Sequence, residues 1–266
     1  MSGAALNGVG QLGDPAAGGG GGGPSQAWKI GNLTALASTV GLWTLDNDLA
    51  DESGNGNTLV AYGTAPPSLF NQGYGTHWCY FDGNYLLSCL TPAVLDLVND
   101  MTLSLTVWPV EEVTTGFPRL ICKGDTVSAA ANNNANYIFW IDPASDDYRW
   151  LQESGSGVND IKALPGNYGV DRMTFTPVHL AVRRTKSSKT LDFFVNGRLM
   201  GSVAYTTDPD GGADSNFSVG GELRTTGATN EILQGWCMKN VRIDDAALSD
   251  AQLLTDANLV LDGRFT

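Results

Sequence analysis

The stretch VHLAVRRTKSSKTLDFFVNGRLMGSV, residues 178–203, decides the fold. Val178, Leu180 and Val182 alternate with His179, Ala181 and Arg183, while Leu191, Phe193 and Val195 alternate with Asp192, Phe194 and Asn196. A period of two places each apolar set on one face of an extended chain. Between the two sets, Arg184-Thr-Lys-Ser-Ser-Lys189 is polar and reads as a solvated hairpin tip. Asn196-Gly197 tolerates positive φ at both positions, which makes a second tight turn, and residues 199–203 return as a third strand. Such a meander needs further strands to cover its apolar face, so the chain is all-β.

The rest of the sequence supplies them. Gly41-Leu-Trp-Thr-Leu-Asp46, residues 59–63, His77-Trp-Cys-Tyr-Phe-Asp-Gly83, residues 84–89 and Met101-Thr-Leu-Ser-Leu-Thr-Val-Trp108 read as strands. So do residues 119–123, 136–141, 148–152, 174–182, 217–221 and 232–243. The turns between them are rich in Gly, Asn, Asp and Pro, with 33 Gly and 11 Pro in 266 residues. Roughly a dozen short strands with frequent turns predict a two-sheet antiparallel sandwich. Thr91 reads as the N-cap of a short helical turn with Pro92 in first position, and Ser249 caps a short C-terminal helix over residues 248–254. Residues 1–30 form a Gly-rich extended arm with six consecutive glycines at 18–23, and residues 31–266 form the sandwich domain. A segment so poor in apolar side chains does not offset its own ordering entropy.

The formal net charge of −13, with only 15 Lys and Arg, excludes the basic face that nucleic acid or an anionic membrane surface would require. No apolar run is long enough to span a bilayer, and the first thirty residues lack the basic start and apolar core of a signal peptide. Cys79, Cys89, Cys122 and Cys237 are widely spaced without a Cys-x-x-Cys, which predicts buried free thiols rather than disulfides or a zinc site.

The order of motifs resembles a known family. It runs from Trp43 through Asp51-Glu-Ser-Gly-Asn-Gly-Asn57, Phe81-Asp-Gly83, the strand 101–108, Lys123-Gly124 and Val178-His-Leu-Ala181. Phe194-Val-Asn-Gly197, Ser218-Val-Gly-Gly221 and Val241-Arg-Ile-Asp-Asp-Ala-Ala-Leu-Ser249 close the series. Together these resemble the laminin G-like, concanavalin A-like jelly-roll superfamily over about residues 38–255. The resemblance implies a jelly-roll sandwich on a scaffold that hosts lectins, adhesion modules, glycosidases and structural domains. Two positions depart from the family pattern. Pro177 stands where the family usually has Trp, and Lys239-Asn240 stands where it often has an acid, which weakens any inherited divalent-ion site. At its family-typical position His179 is expected to hydrogen-bond between strands.

Oxygen donors at Asp51, Ser53, Asn55 and Asn57 fit either a calcium loop or an Asx-rich turn, and no bidentate Glu follows them. No cofactor is therefore expected. Asp244-Asp245 reads as a solvated strand end. Glu111-Glu112 are adjacent and Glu153, Glu222 and Glu231 stand alone, so the paired carboxylates of a glycosidase are missing and no enzymatic activity is expected. Tyr137, Trp140, Tyr148 and Trp150 form one candidate set of sugar-stacking rings, with core packing as the alternative for each, and Tyr62, Tyr74 and Trp78 form another. Trp28, Lys29 and Ile30 are the first anchoring side chains after the arm and the candidate partner contacts.

The expectation is a non-enzymatic virion surface protein, a bacteriophage capsid decoration or tail appendage assembled in the host cytoplasm. It would be anchored by its arm to virion subunits as a homo-oligomer, with the sandwich facing host-cell glycans. The alternative is a secreted, extracellular bacterial carbohydrate-binding or adhesion module.

Overall fold

The computed structural model describes residues 30–64, 70–90, 92–112, 116–124, 135–143, 147–153, 159–163, 176–209, 215–224 and 226–261. In chain order the strands are β1 (Thr39–Trp43), β2 (Val60–Gly63), β3 (Phe70–Gly73), β4 (Thr76–Asp82), β5 (Tyr85–Cys89) and β6 (Met101–Pro109). Next come β7 (Arg119–Lys123), β8 (Tyr137–Asp142), β9 (Asp147–Glu153), β10 (Asn159–Ala163), β11 (Val178–Thr185), β12 (Thr190–Val195) and β13 (Arg198–Ala204). The last are β14 (Phe217–Val219), β15 (Glu222–Leu223), β16 (Thr229–Asn230) and β17 (Gln234–Asp244), followed by helix α1 (Asp250–Val260).

Two antiparallel sheets stack as a jelly-roll sandwich. One has the order β13-β12-β11-β6-β17-β4-β3, with β1 also on β17, and the other has the order β10-β9-β8-β7-β14-β5-β2. The predicted meander is β11, β12 and β13, and its Asn196-Gly197 turn adopts positive φ at both residues. Strand β17 is the axis of its sheet. A bulge between Lys239 and Arg242, with Asn240 at φ 56°, lets one edge of β17 pair first with β4 and then with β1.

Period-two side chains from both sheets fill the space between them. Trp43 stacks on Phe217 at 4.8 Å between ring centroids, Phe81 on Tyr85 at 5.5 Å, and Phe139 on Tyr148 at 5.7 Å. Gly220 explains the Gly-Gly of its motif, because a Cβ there would lie 2.1 Å from the Phe81 ring and φ is +73°. The outer face of the β17 sheet is covered too. Helix α1 lies over it, and residues 30–36 run beside the helix, with the Gly31 N–H donating to the Val260 carbonyl at 3.1 Å. Ile30, Leu33, Leu42, Trp78, Trp108 and Val260 bury one another there.

Several expectations change. Arg184 is not at a solvated tip: it ends β11 with its side chain buried, because the polar run turns only after Thr185. Asp244 is buried rather than solvated, since α1 and residues 38–39 close over it. Strands β3, β10, β15 and β16 lacked a periodic signal. The turn near residue 93 is a 3-10 turn, Ala93–Leu95, with Pro92 in the capping position, and Thr91 lies outside the described residues. Ser249 caps α1 as expected, accepting from the Gln252 N–H at 3.2 Å. All four cysteines are free and buried, with burial pushing the Cys79 and Cys89 thiols up to about 12.

Candidate ligand-binding face

The outer face of the β14 sheet carries a row of large polar and aromatic side chains where β7 begins. Arg119 on β7, Trp140 on β8 and Arg149 on β9 are direct cross-strand neighbours. The Arg119 guanidinium lies over the Trp140 ring, 5.2 Å from its centroid. Glu222, fully buried on β15, is flanked by two guanidinium Nε atoms, Arg119 at 3.7 Å and Arg224 at 3.3 Å. Arg149 pairs with Asp142 at 2.8 Å. The Trp140 indole N–H has no partner among the described residues.

One ring opens to solvent beside this row. Phe117, in the short loop before β7, is 46% exposed, and every other aromatic side chain among the described residues is more covered. Its position is fixed from behind. The Phe117 N–H donates to Glu231 Oε2 at 2.8 Å and the Arg119 N–H to the Glu231 carbonyl at 3.0 Å, with Glu231 itself at φ 47°. The end of the sheet thus presents an exposed aromatic face and partly exposed guanidinium groups backed by buried carboxylates.

The rings expected to stack on sugar lie elsewhere. Tyr137 and Trp150 stack on each other in the core, 5.8 Å apart, and Tyr148 packs there on Phe139. Trp140 does point outward, but only 5% of it is exposed, so it backs Arg119 rather than offering a free face. In the other set Trp78 is buried and Tyr74 meets Trp108 edge-on at 4.9 Å. Of the candidate partner contacts, Trp28 and Lys29 lie outside the described residues. Ile30 is buried in its own sandwich, donating its N–H to the Tyr74 carbonyl at 3.1 Å, so its side chain is not free for a partner. Phe117 escaped notice because Gly116-Phe117-Pro118 matches no periodic or motif pattern.

The candidate cation loop is a closed turn. Asp51 Oδ1 accepts from the Leu42 and Ser53 N–H groups at 3.1 and 2.9 Å, and Oδ2 accepts from the Asn57 N–H and Nδ2 at 2.9 and 3.0 Å. With four donors on two oxygens, this carboxylate does not fit a metal ligand. Among the described residues no group of three or more His, Cys, Asp or Glu is gathered that could hold a metal ion. The Lys239-Asn240 departure has its own chemistry. The buried Lys239 ammonium donates to Asp46 Oδ2 at 3.0 Å and Thr76 Oγ1 at 2.5 Å. Burial opposes ionisation of Asp46, yet bonds from Lys239 and the His77 N–H outweigh it and hold the carboxyl at about 2. Asn240 clamps residues 31 and 33, its Oδ1 accepting from the Leu33 N–H at 3.0 Å and its Nδ2 donating to the Gly31 carbonyl at 2.9 Å.

A family model described as the concanavalin A-like lectin/glucanases superfamily matches residues 82–254. The chain belongs to that superfamily. Members share the sandwich and not one activity, so the solved relatives inform the fold alone. The receptor binding domain of a botulinum neurotoxin C/D mosaic serotype aligns at TM-score 0.61 and 11% identity, over 83% of this chain and 51% of that one. The binding domain of Paraclostridial Mosquitocidal Protein 1 aligns at TM-score 0.61 and 12% identity, over 83% and 52%. Domain 4 of AbnA, an extracellular arabinanase from Geobacillus stearothermophilus solved with arabinotriose, aligns at TM-score 0.54 and 18% identity, over 86% and 100%. The chain thus spans about half the length of the two toxin domains. No curated protein sequence matches it.

Proposed function

We propose that this superfamily domain is a non-enzymatic carbohydrate-binding module whose sugar site is the Phe117 end of the β14 sheet. The observation that carries the reading is the exposed Phe117 ring beside the Arg119–Glu222–Arg224 and Arg149–Asp142 ion pairs. An aromatic face stacks on the apolar C–H face of a pyranose or furanose. The partly exposed Arg149 and Arg224 guanidinium groups offer donors to adjacent hydroxyls, and the buried Asp142 and Glu222 carboxylates behind them keep the net charge low, which suits a neutral sugar. The arabinotriose bound to the arabinanase domain, which aligns over its whole length, supports a glycan ligand on this kind of scaffold.

The test is calorimetric titration of the intact chain with a panel of neutral oligosaccharides. Phe117→Ala is expected to weaken binding at least ~10-fold, about 1.4 kcal/mol, with an unchanged melting temperature, and Phe117→Trp to retain it. Equal affinity in Phe117→Ala, or no neutral sugar bound by the wild type, overturns the reading.

A second reading concerns where the module works. Ile30 and Gly31 are anchored on the sandwich, which supports a fixed point of attachment for whatever precedes them in the chain. We propose that residues 1–29 dock the module on a virion, with the secreted extracellular adhesion module as the competing arrangement. Deleting residues 1–27 is expected to abolish particle incorporation while leaving the circular dichroism spectrum and melting temperature unchanged. Incorporation at the wild-type level overturns it.

A further inference from the structure

At the far end of β7 from Phe117, the sandwich interior holds a cation that no carboxylate among the described residues bonds. Arg184 is fully buried, and its contacts are carbonyl oxygens: Nε donates to Asn99 O at 3.0 Å and Nη2 to Leu97 O. None of its contacts among the described residues is a carboxylate. The neighbouring buried cation is already matched. Lys123 Nζ meets Asp96 at 2.6 Å and Ser215 O at 2.7 Å, on the chain segment adjoining the Arg184 carbonyls. Two more carboxylates face Arg184 from the surface, but Asp100 Oδ1 accepts from the Lys186 N–H at 2.8 Å and Asp208 Oδ2 pairs with Lys189 Nζ at 3.2 Å.

Three donors at this end are unused. Arg184 Nη1, the Tyr137 hydroxyl and the Tyr205 hydroxyl are buried and have no hydrogen-bond partner among the described residues. They come from different elements. Tyr137 stands directly across from Lys123 on β8 and faces the interior, while Arg184 faces it from the other sheet. Tyr205 follows β13, with its N–H bonded to the Lys189 carbonyl at the end of the hairpin that Arg184 opens. Each of the three groups lies within electrostatic reach of another: Arg184 acts on both phenols and both phenols act on Arg184. Burial is also strong enough to pull the guanidinium down to about 10.

A buried charge without a counter-ion is costly, and unpaired donors call for an acceptor. A group that only accepts and carries negative charge satisfies both conditions. We propose that this end of the sandwich binds a small monovalent anion, a halide or a carboxylate group, held by Arg184 Nη1 and the hydroxyls of Tyr137 and Tyr205. The site is independent of the sugar face, and its role is to complete the charge balance of the interior.

The experiment is thermal unfolding of the intact chain at constant ionic strength, with sodium chloride or acetate exchanged against sodium methanesulfonate, whose bulk the interior excludes. The wild-type melting temperature is expected to rise by roughly 3 °C as chloride or acetate replaces methanesulfonate. In a Tyr137→Phe/Tyr205→Phe double variant, which keeps both rings and so the packing, that dependence is expected to disappear. A crystal soaked in sodium bromide is expected to show an anomalous peak within about 3.5 Å of Arg184 Nη1. Identical melting temperatures in all three salts, or water density at that position without an anomalous peak, overturns the proposal.

Discussion

Arg242→Met is expected to cost about 3–5 kcal/mol of folding stability. Arg242 is fully buried between the β17 sheet and α1. Its Nε donates to Asp244 Oδ2 at 2.8 Å, its Nη2 to Asp256 Oδ2 on the helix, and its Nη1 to the Thr34 carbonyl at 3.4 Å. Asp244 Oδ1 accepts in turn from Thr39 Oγ1 at 2.7 Å, and Asp256 Oδ1 from Gln252 Nε2 at 2.9 Å. One guanidinium therefore pairs with two buried carboxylates and joins three chain segments. Methionine fills a similar volume but leaves both carboxylates without a cation, and the penalty is that of stranded charge rather than of a lost contact. Urea unfolding measures the loss, and amide exchange locates it, with protection expected to fall first in α1 and residues 33–36. A midpoint equal to that of the wild type would show that the network carries no net stability.

Acid sensitivity is the second large effect, and it centres on His179. The ring is buried on the outer face of β11, directly across from Thr106 and two pairs along from Ser104. Neither ring nitrogen has a partner among the described residues, and the same holds for the Thr106 and Ser104 hydroxyls. The expectation that this ring would hydrogen-bond between strands is thus not met. Asn196 does that work, accepting from the His179 N–H at 2.9 Å and donating its own N–H to the His179 carbonyl at 2.7 Å. Burial pushes the imidazole down to about 4, with Asp256 raising it and Arg242 lowering it. The unfolded chain takes up this proton near pH 6.5, whereas the folded chain refuses it until about pH 4. Stability therefore falls as pH drops through that window, by about 3 kcal/mol in all for this group. His179→Gln should flatten that part of the stability-against-pH curve. An unchanged slope, or a ring that titrates near 6.5 by NMR, would refute it.

The sheets were legible because their outward-facing positions near the surface keep polar residues, as in the Val178–Thr185 strand with its Arg183. Where a strand is covered on both faces, the period disappears. Tyr137–Asp142 reads Tyr-Ile-Phe-Trp-Ile-Asp, so nothing in it says that Tyr137 and Phe139 face the core while Trp140 faces out. That loss of contrast is why the sequence leaves sugar stacking and core packing both open for these rings. The ion pairs were illegible for another reason. Asp46 and Lys239, or Arg119 and Glu222, are far apart in sequence and meet only through strand order. Phe117 became informative only once every other described aromatic proved to be at least partly covered.

The hydrogen bond from Gly31 to Val260 has a topological consequence. A Cβ at Gly31 would come within 2.5 Å of the Leu259 carbonyl, so the two segments run as close together as a backbone allows. The described path of the chain, residues 30–261, therefore starts and ends at one doorway, and the sandwich is nearly a closed ring. A ring of this kind can be spliced into a surface loop of an unrelated host without prising the host apart. It can also be joined across that doorway by a short linker and reopened at the exposed 186–189 hairpin, with the order of strands in space untouched.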